Sequence, residues 1–374
     1  MNILIISYYL APANLMGAVR PSSLAVQWDR MGHDVTILTS KRKSWLFLER
    51  TTEESVSDVF KGTKVRVLQQ DSSKVYRSFS WLIWRVLLKL KIIGIGGRSN
   101  GGDLKAHTFF GRTKKIIFWT LSLLQDLDWA LYAGRSISKS KRKISEFDLV
   151  FSTFGPLSSH LVPIIVGSEL LKNWVCDFRD PLSLPHDTRL QSHVNSALTR
   201  LICNRASIIT AVSQGYAEMI SKCGINKCIN VVYNGYNAVD IPLDFEHCPS
   251  RFRTAYAGTT YGGKRDLAPL LKALQEMSIM NRALTVEFAY AGPEGSLVEK
   301  MIQKYSPNVR LLNYGSVPRE EVFAIYNSSD LLVVATWNDE DYRGVIPGKT
   351  FELMAFNKPI LCLVNSAGGY IEIE

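Results

Sequence analysis

The N-terminal stretch "NILIISYYLAPANLMGAVRPSSLAVQWDRMGHDVTILTS", residues 2–40, decides the fold. Its two ends, 2–8 and 34–40, are apolar runs rich in β-branched residues, which indicate buried strands. Between them, apolar residues recur at helical spacing from Pro21, which suits the first position of a helix, to Met31. The stretch therefore predicts a strand–helix–strand unit whose helix spans Pro21 to Met31 and follows a long loop.

The same alternation of strands and helices continues along the chain. Further strands are expected at 64–69, 148–153, 174–178, 207–213, 229–233, 253–258, 284–292, 309–315, 330–336 and 359–364. Their nearly continuous apolar character indicates parallel sheets covered on both faces. Because single cores stop growing at about 250–300 residues, 374 residues suggest more than one domain. We predict two doubly wound α/β domains facing a cleft, at 1–240 and 251–374.

Composition points to an ordinary globular protein with reduced thiols. Apolar residues make up 46% of the chain, which is enough for a sizeable core. The six cysteines form no C-x-x-C pair, which argues against a disulfide framework and a zinc site. The first ten residues read as a strand rather than as a signal peptide. We therefore expect a cytoplasmic protein without a bound metal.

Positive charge is concentrated in one segment, 74–143, which has 15 Lys and Arg against three acids, whereas the rest of the chain has a net charge of −2. Its two apolar runs, 81–96 and 114–134, contain too many charges to span a bilayer. Trp81 and Trp84 with interleaved cations are typical of a helix on an anionic membrane surface. A solvated helical insertion is the second interpretation. Nucleic-acid binding is the third, although the chain has no motif for it.

A glycine-rich loop is expected between a strand and a helix in "YAGTTYGGKRDLAPLL", residues 256–271. Its glycines allow the backbone to approach an anion closely, and Lys264 and Arg265 add positive charge next to the start of the helix. These features indicate a phosphate-binding loop, but two glycines beside two cations also occur often by chance.

A second candidate loop is "GVIPGKTFELMAFNKPIL", residues 344–361, which places Lys349 and Glu352 in the expected first turn of a short helix. An acid there also has a purely structural interpretation, because it complements the helix dipole. If the loop lies at the same sheet edge as the glycine-rich loop, Lys349 adds charge for the phosphate and Glu352 can accept two hydrogen bonds from a vicinal diol. A nucleoside diphosphate presents both groups.

Seven stretches in order give the chain a resemblance to a known family. They are 3–39, "WVCDFRDPL", "ITAVSQGYAEMI", "VVYNGYN", "YAGTTYGGKRDLAPLL", "GSVPREEVFAIYNSSDLLVV" and "PGKTFELMAFNKPIL". The chain resembles retaining glycosyltransferases of the GT-B fold, in particular glycosyltransferase family 4. That resemblance implies two Rossmann-like domains, the first for the acceptor and the second for a nucleotide sugar. Family members usually continue past the strand at 359–364, so a shortened second domain is expected.

The resemblance also assigns residues of the second domain. The family's second motif glutamate, which holds the donor ribose, falls on Glu352, whereas the first falls on Gly344. Asp339, Glu340 and Asp341 are candidates to replace that first glutamate. The family's phosphate-binding lysine matches Lys264. Its arginine partner falls on Thr259, next to Thr260, so Arg265 is the candidate replacement.

In the first domain, Gly17 matches the loop that closes over donor and acceptor. Arg179 and Asp180 match a motif that lines the cleft, although Asp180 before Pro181 also fits an Asx turn.

The resemblance implies transfer of a sugar, a hexose or related unit, from a nucleotide-diphosphate donor to a hydroxyl acceptor with retention. Lys264 and Arg265 would stabilise the leaving diphosphate, with no cofactor and no metal. The expected acceptor is lipid-linked or a polysaccharide precursor, at the inner face of the cell membrane. Two alternatives remain open: a catalytically inactive GT-B binding or scaffold protein, and a nucleotide-sugar epimerase.

Overall fold

The computed structural model describes residues 1–13, 16–41, 56–74, 76, 109–140, 144–184, 186–236, 248–336 and 345–364. The chain forms two compact units, the first ending at Tyr233 and the second running from Asn234. The run at 81–96 and the residues Asp339, Glu340, Asp341 and Gly344 lie outside the described residues.

The first unit is built on a seven-stranded sheet. Its strands are β1 Asn2–Ile6, β2 Asp34–Ser40, β3 Arg66–Gln70, β4 Leu149–Thr153, β5 Trp174–Phe178, β6 Ile208–Ala211 and β7 Ile229–Val231. They lie in the order β3-β2-β1-β4-β5-β6-β7, and every neighbouring pair is parallel. The strand order reverses between β1 and β4, which is where open α/β sheets bind ligands, outside the carboxyl ends of the strands.

Helices connect these strands. They are α1 Met16–Arg30, α2 Val56–Val59, α3 Phe109–Ser138, α4 Ser158–Val166, α5 Ser168–Leu171, α6 Arg189–Arg205 and α7 Gln214–Ser221, with a short 3-10 helix at Ile144–Glu146. Among the described residues, no helix is both long enough and apolar enough to cross a bilayer.

The second unit repeats the pattern on a smaller scale. Its strands are β8 Arg251–Ala257, β9 Thr285–Ala291, β10 Arg310–Gly315, β11 Leu331–Ala335 and β12 Ile360–Leu363, and its helices are α8 Ala268–Met280, α9 Gly295–Tyr305, α10 Arg319–Asn327 and α11 Gly348–Met354. The parallel order β10-β9-β8-β11-β12 reverses between β8 and β11. One face of this sheet buries Tyr256, Phe288 and Tyr290, and the other buries alanines that include Ala255 and Ala289.

Each strand predicted from the sequence is present, but the predicted start of the first helix is wrong. Helix α1 begins at Met16, five residues before the prediction, and contains Pro21 in its interior. Side-chain contacts hold this early turn in place: Arg20 pairs with Asp177 at 2.9 Å, and the Ser22 hydroxyl donates to the Ala18 carbonyl at 2.7 Å. Tertiary contacts of this kind override a local helix-start signal.

Candidate functional site

The candidate site of the second unit lies where β8 and β11 diverge, at the carboxyl edge of the sheet. The chain leaves β8 at Gly258, whose φ of 139° is open to glycine alone. A Cβ at this position would lie 2.9 Å from Lys349 Nζ and 3.9 Å from Arg265 Nη1. Two cations, one from each predicted loop, therefore converge on one glycine backbone.

Lys349 is held at this point by the end of β8. It comes from α11, the helix that follows β11, and its Nζ donates to the Ala257 carbonyl at 2.6 Å. Burial lowers the pKa of Lys349, the nearby Glu352 raises it, and the neighbouring Arg265 lowers it further. A buried cation beside a second cation is an unfavourable arrangement that an anion would relieve.

Arg265 lies near the same glycine, and its hydrogen bonds are only partly satisfied. Its Nη1 is 3.4 Å from the Tyr256 hydroxyl and 3.4 Å from the Thr259 carbonyl, and its guanidinium lies over the Tyr261 ring at 4.8 Å. Its Nε is buried and has no hydrogen-bond partner among the described residues. Because buried N–H groups are normally paired, this geometry suits an anionic ligand.

Glu294, at the start of α9, occupies the backbone amides of the glycine-rich loop. Its carboxylate accepts from Thr260 N at 2.5 Å, Thr260 Oγ1 at 2.8 Å and Gly262 N at 2.8 Å. Partial burial raises the pKa of Glu294, but these hydrogen bonds and one from Tyr261 together hold it below its usual value. Because these loop amides are bound to an internal carboxylate, a phosphate at this loop would be bound by the side-chain cations instead.

The remaining candidates of this loop have different environments. Thr260 is fully buried and donates hydrogen bonds to Glu294 through its backbone N–H and its hydroxyl. Thr259 accepts hydrogen bonds through its carbonyl. Lys264 is exposed in the same loop, and its backbone N–H donates to the Tyr261 carbonyl. The structure therefore brings Arg265 and Lys349 together at Gly258, with Lys264 nearby in sequence but on the surface.

Glu352 lies in α11, three residues after Lys349. The expectation that it lies in the first helical turn is wrong, since α11 begins at Gly348 and its first turn contains no acid. The helix-dipole interpretation of this carboxylate therefore loses its basis. Its Oε2 is 3.4 Å from Arg319 Nη2, and its side chain is 22% exposed. Both its influence on the pKa of Lys349 and its spacing in α11 place it beside Lys349.

The candidates of the first unit lie at the equivalent position, where β1 and β4 diverge. Arg179 follows β5, and its Nε donates to the Phe154 carbonyl at 2.9 Å. A Cβ on Gly17 would lie 2.2 Å from Arg179 Nη1, and a Cβ on Gly155 would lie 2.0 Å from Nη2. The guanidinium is thus enclosed by two glycines at the carboxyl edge of the sheet. Asp180 is 56% exposed, and its Oδ2 is 3.9 Å from Arg179 Nη2.

Sequence reasoning missed the ion pair that supports this edge. Asp177, at 0% exposure, accepts from Arg20 Nε at 3.0 Å, Arg20 Nη2 at 2.9 Å, Thr153 Oγ1 at 2.9 Å and Thr210 Oγ1 at 2.7 Å. The bidentate pair links α1 to β5, three residues after Gly17 and two residues before Arg179, and so fixes the backbone near both. An aspartate inside an otherwise apolar strand run was the available signal.

Two further observations concern metals and thiols. In the described ranges, no group of three or more His, Cys, Asp or Glu side chains is placed to hold a metal ion. The six cysteines are free, and Cys176, Cys203 and Cys223 are buried.

Comparisons with known proteins identify the fold. No protein-family model matches the sequence, and no curated protein is significantly similar to it. Solved structures are similar over the whole chain. Anabaena Alr3699/HepE, in complex with UDP-glucose, is 14% identical over 100% of this chain and 83% of that one, with a TM-score of 0.52. TarM is 11% identical over 100% and 86%, with a TM-score of 0.58.

A third similar structure is the UDP-forming α,α-trehalose-phosphate synthase from Burkholderia vietnamiensis, 10% identical over 100% of this chain and 86% of that one, with a TM-score of 0.53. At such identities the similarity defines the fold. The chain has the two-domain α/β fold of the GT-B type, as predicted from its sequence.

Proposed function

We propose that this protein is a glycosyltransferase, a hexosyltransferase or a related enzyme, that moves a sugar from a nucleotide-diphosphate donor to a hydroxyl acceptor. The observation that carries the proposal is the convergence of Arg265 and Lys349 on Gly258 at the switch point of the second sheet. The GT-B fold supports it, and a structure of that fold contains UDP-glucose.

The diphosphate of the donor binds at Gly258 in this proposal. As the bond to the sugar breaks, negative charge develops on the diphosphate, and Arg265 and Lys349 are already placed to neutralise it. Lys264, exposed on the same loop, adds a third positive charge. Each preorganised contact of this kind is worth about 2.7–4 kcal/mol of barrier. Because Glu294 binds the loop amides, these side chains supply most of the stabilisation.

Glu352 holds the donor ribose. A carboxylate can accept one hydrogen bond from each hydroxyl of a vicinal diol. Arg319 contacts one of its oxygens at 3.4 Å and keeps the side chain oriented on α11. Because Lys349 and Glu352 lie three residues apart on one short helix, the lysine can bind the diphosphate and the glutamate the ribose of the same molecule. No cofactor or metal is needed for these contacts.

The acceptor is assigned to the first unit, with Arg179 and Asp180 as the residues that contact it, and Gly17 belongs to the loop that closes over donor and acceptor. Transfer proceeds with retention, and the leaving phosphate accepts the proton of the acceptor hydroxyl. This part of the proposal rests on the resemblance to glycosyltransferase family 4. The acceptor is a saccharide or a lipid-linked precursor of a polysaccharide.

We assign the protein to the cytoplasmic face of the cell membrane, as a peripheral protein. The basic segment 74–143 provides attraction to anionic lipids. The described part of this segment also exposes Ile117, Leu124 and Leu127 on α3, at spacings of seven and three residues that share one helix face.

The direct test is turnover. The full chain is incubated with UDP, GDP, ADP, CMP and dTDP sugars, each with and without saccharide and lipid-linked acceptors, and products are analysed by mass spectrometry and NMR. We expect transfer from one donor, with the anomeric configuration kept, and none in Glu352→Ala. Binding without turnover would instead support an inactive scaffold, and a change in the sugar without acceptor would support an epimerase.

A further inference from the structure

A cavity in the first unit lies away from the candidate site. It has a volume of about 790 Å³, within the range of about 300–1,000 Å³ that is typical of small-molecule sites. It lies between one face of β2 and β3, the C-terminal part of α3, and Phe147. Thr36 and Arg66, directly paired in register near the start of their strands, both line it. Gln70, the last residue of β3, also lines it, so the cavity runs along the whole of this edge strand, whereas Gly17 follows β1 and Arg179 follows β5.

The walls of this cavity combine apolar side chains with positive charge. Leu68, Tyr132, Ile137 and Phe147 provide the apolar part. Three cations line it as well, namely Arg66, Arg135 and Lys139, and no acid is among the lining residues. Asp34 pairs with Arg66 at 3.4 Å, but both side chains are largely exposed and the attraction is screened by water. The cavity thus offers an apolar body next to an excess of positive charge.

A buried hydroxyl in the cavity wall has no partner. Thr36 is 4% exposed, and its Oγ1 makes no hydrogen bond to the described residues. Buried hydroxyls are nearly always hydrogen-bonded, so each exception needs an explanation, such as a water or an ion. The cations alone have a simpler explanation, because Arg135 and Lys139 lie at the C-terminal end of α3 and complement its dipole. That explanation accounts for neither the apolar cavity nor the Thr36 hydroxyl.

We propose that this cavity binds an anionic amphiphile, a molecule with one acidic head group and a single apolar chain. The chain packs against Leu68, Tyr132 and Phe147, while the head group binds Arg135 and Lys139. This site is separate from the proposed transferase site, and its occupancy does not depend on that function.

Three probes separate the contributions of chain and charge. Octyl phosphate has both, octyl glucoside has the chain without the charge, and inorganic phosphate has the charge without the chain. Each is titrated into the full chain by calorimetry below the concentration at which micelles form. We expect octyl phosphate to bind at least tenfold more tightly than either of the others. Equal affinity for octyl phosphate and octyl glucoside would overturn the proposal.

Variants locate the binding. Removing two cations with Arg135→Gln and Lys139→Gln should weaken octyl phosphate binding by roughly tenfold. Arg30→Gln is the matched control, since Arg30 is also an exposed arginine in a last helical turn. Unchanged binding in the Arg135 and Lys139 double variant, with the protein folded by circular dichroism, would place the amphiphile elsewhere and refute the assignment.

Discussion

At the scale of single residues, Glu294 shows how the glycine-rich loop keeps its shape. A loop with positive φ at Tyr261, Gly262 and Gly263 points several amides to one side. Such a concave set of amides binds anions well, and the Glu294 carboxylate occupies it. The loop is thereby ordered without a ligand, and Arg265 is held where the proposal needs it. The sequence signal was weak, because Glu294 lies more than thirty residues away on another element.

Replacing this carboxylate should loosen the loop. In Glu294→Gln, the side-chain amide cannot accept from several backbone N–H groups through two charged oxygens. We expect a loss of about 1.5–3 kcal/mol in the free energy of unfolding, the usual value of hydrogen bonds to a charged group. Denaturant unfolding measures it, with the exposed Glu299→Gln on the same helix as the control.

The loss of stability in Glu294→Gln should be smaller at acidic pH. Because the pKa of Glu294 is lowered from the reference value of 4.5, its stabilisation is complete above that value and is lost as the pH falls through the lowered pKa. The difference between wild type and Glu294→Gln should therefore shrink under acid. A difference that is constant from pH 7 to pH 3 would show that the charge of Glu294 contributes nothing.

At the scale of secondary structure, the strands were predictable and the helix starts were not. Buried parallel strands carry a continuous apolar signal, so all twelve strands of the described residues were located from sequence. The start of α1 was misplaced because Arg20 and Asp177, 157 residues apart, decide it. The same reason applies to the site: Lys349 and Arg265 were found from loop composition, but their convergence on Gly258 depends on the strand order.

A carboxyl group is buried where α3 packs against the start of α4, and its protonation makes the free energy of unfolding depend on pH. Burial raises the pKa of Asp126 from 3.8 to about 7, although hydrogen bonds from Ser158 and Leu157 oppose the shift. Between these two values the folded state holds a proton that the unfolded state has released. The free energy of unfolding should therefore fall as the pH rises from 4 to 7, by up to about 1.4 kcal/mol per pH unit from this group.

The measurement is urea unfolding of wild type and Asp126→Asn across this pH range. The variant lacks the titrating group, so its stability relative to wild type should increase from pH 4 to pH 7 and then stay constant. Asp58→Asn, at an exposed position of α2, provides the control. If Asp126→Asn and wild type change in parallel with pH, the carboxyl group is not buried as described.

At the scale of the whole molecule, the uneven charge predicts binding to anionic membranes. Segment 74–143 carries a net charge of +12 and the rest of the chain −2, and attraction to acidic lipids weakens as salt shortens the range of electrostatic forces. We expect the chain to co-sediment with phosphatidylserine vesicles and to be released from them by raised salt. It should not bind neutral vesicles. Deleting 81–96 should reduce this binding. Unchanged sedimentation after the deletion would count against a membrane role for that run.

The central claim is that one nucleoside diphosphate is held by Arg265, Lys349 and Glu352. The decisive measurement is calorimetric titration of UDP, GDP, ADP and dTDP, with CMP as a monophosphate, into wild type, Lys349→Gln and Glu352→Ala, with the exposed Lys300→Gln as control. The account predicts that one diphosphate binds wild type and Lys300→Gln alike and at least tenfold more weakly to the two site variants. Equal affinity for all four proteins would contradict it.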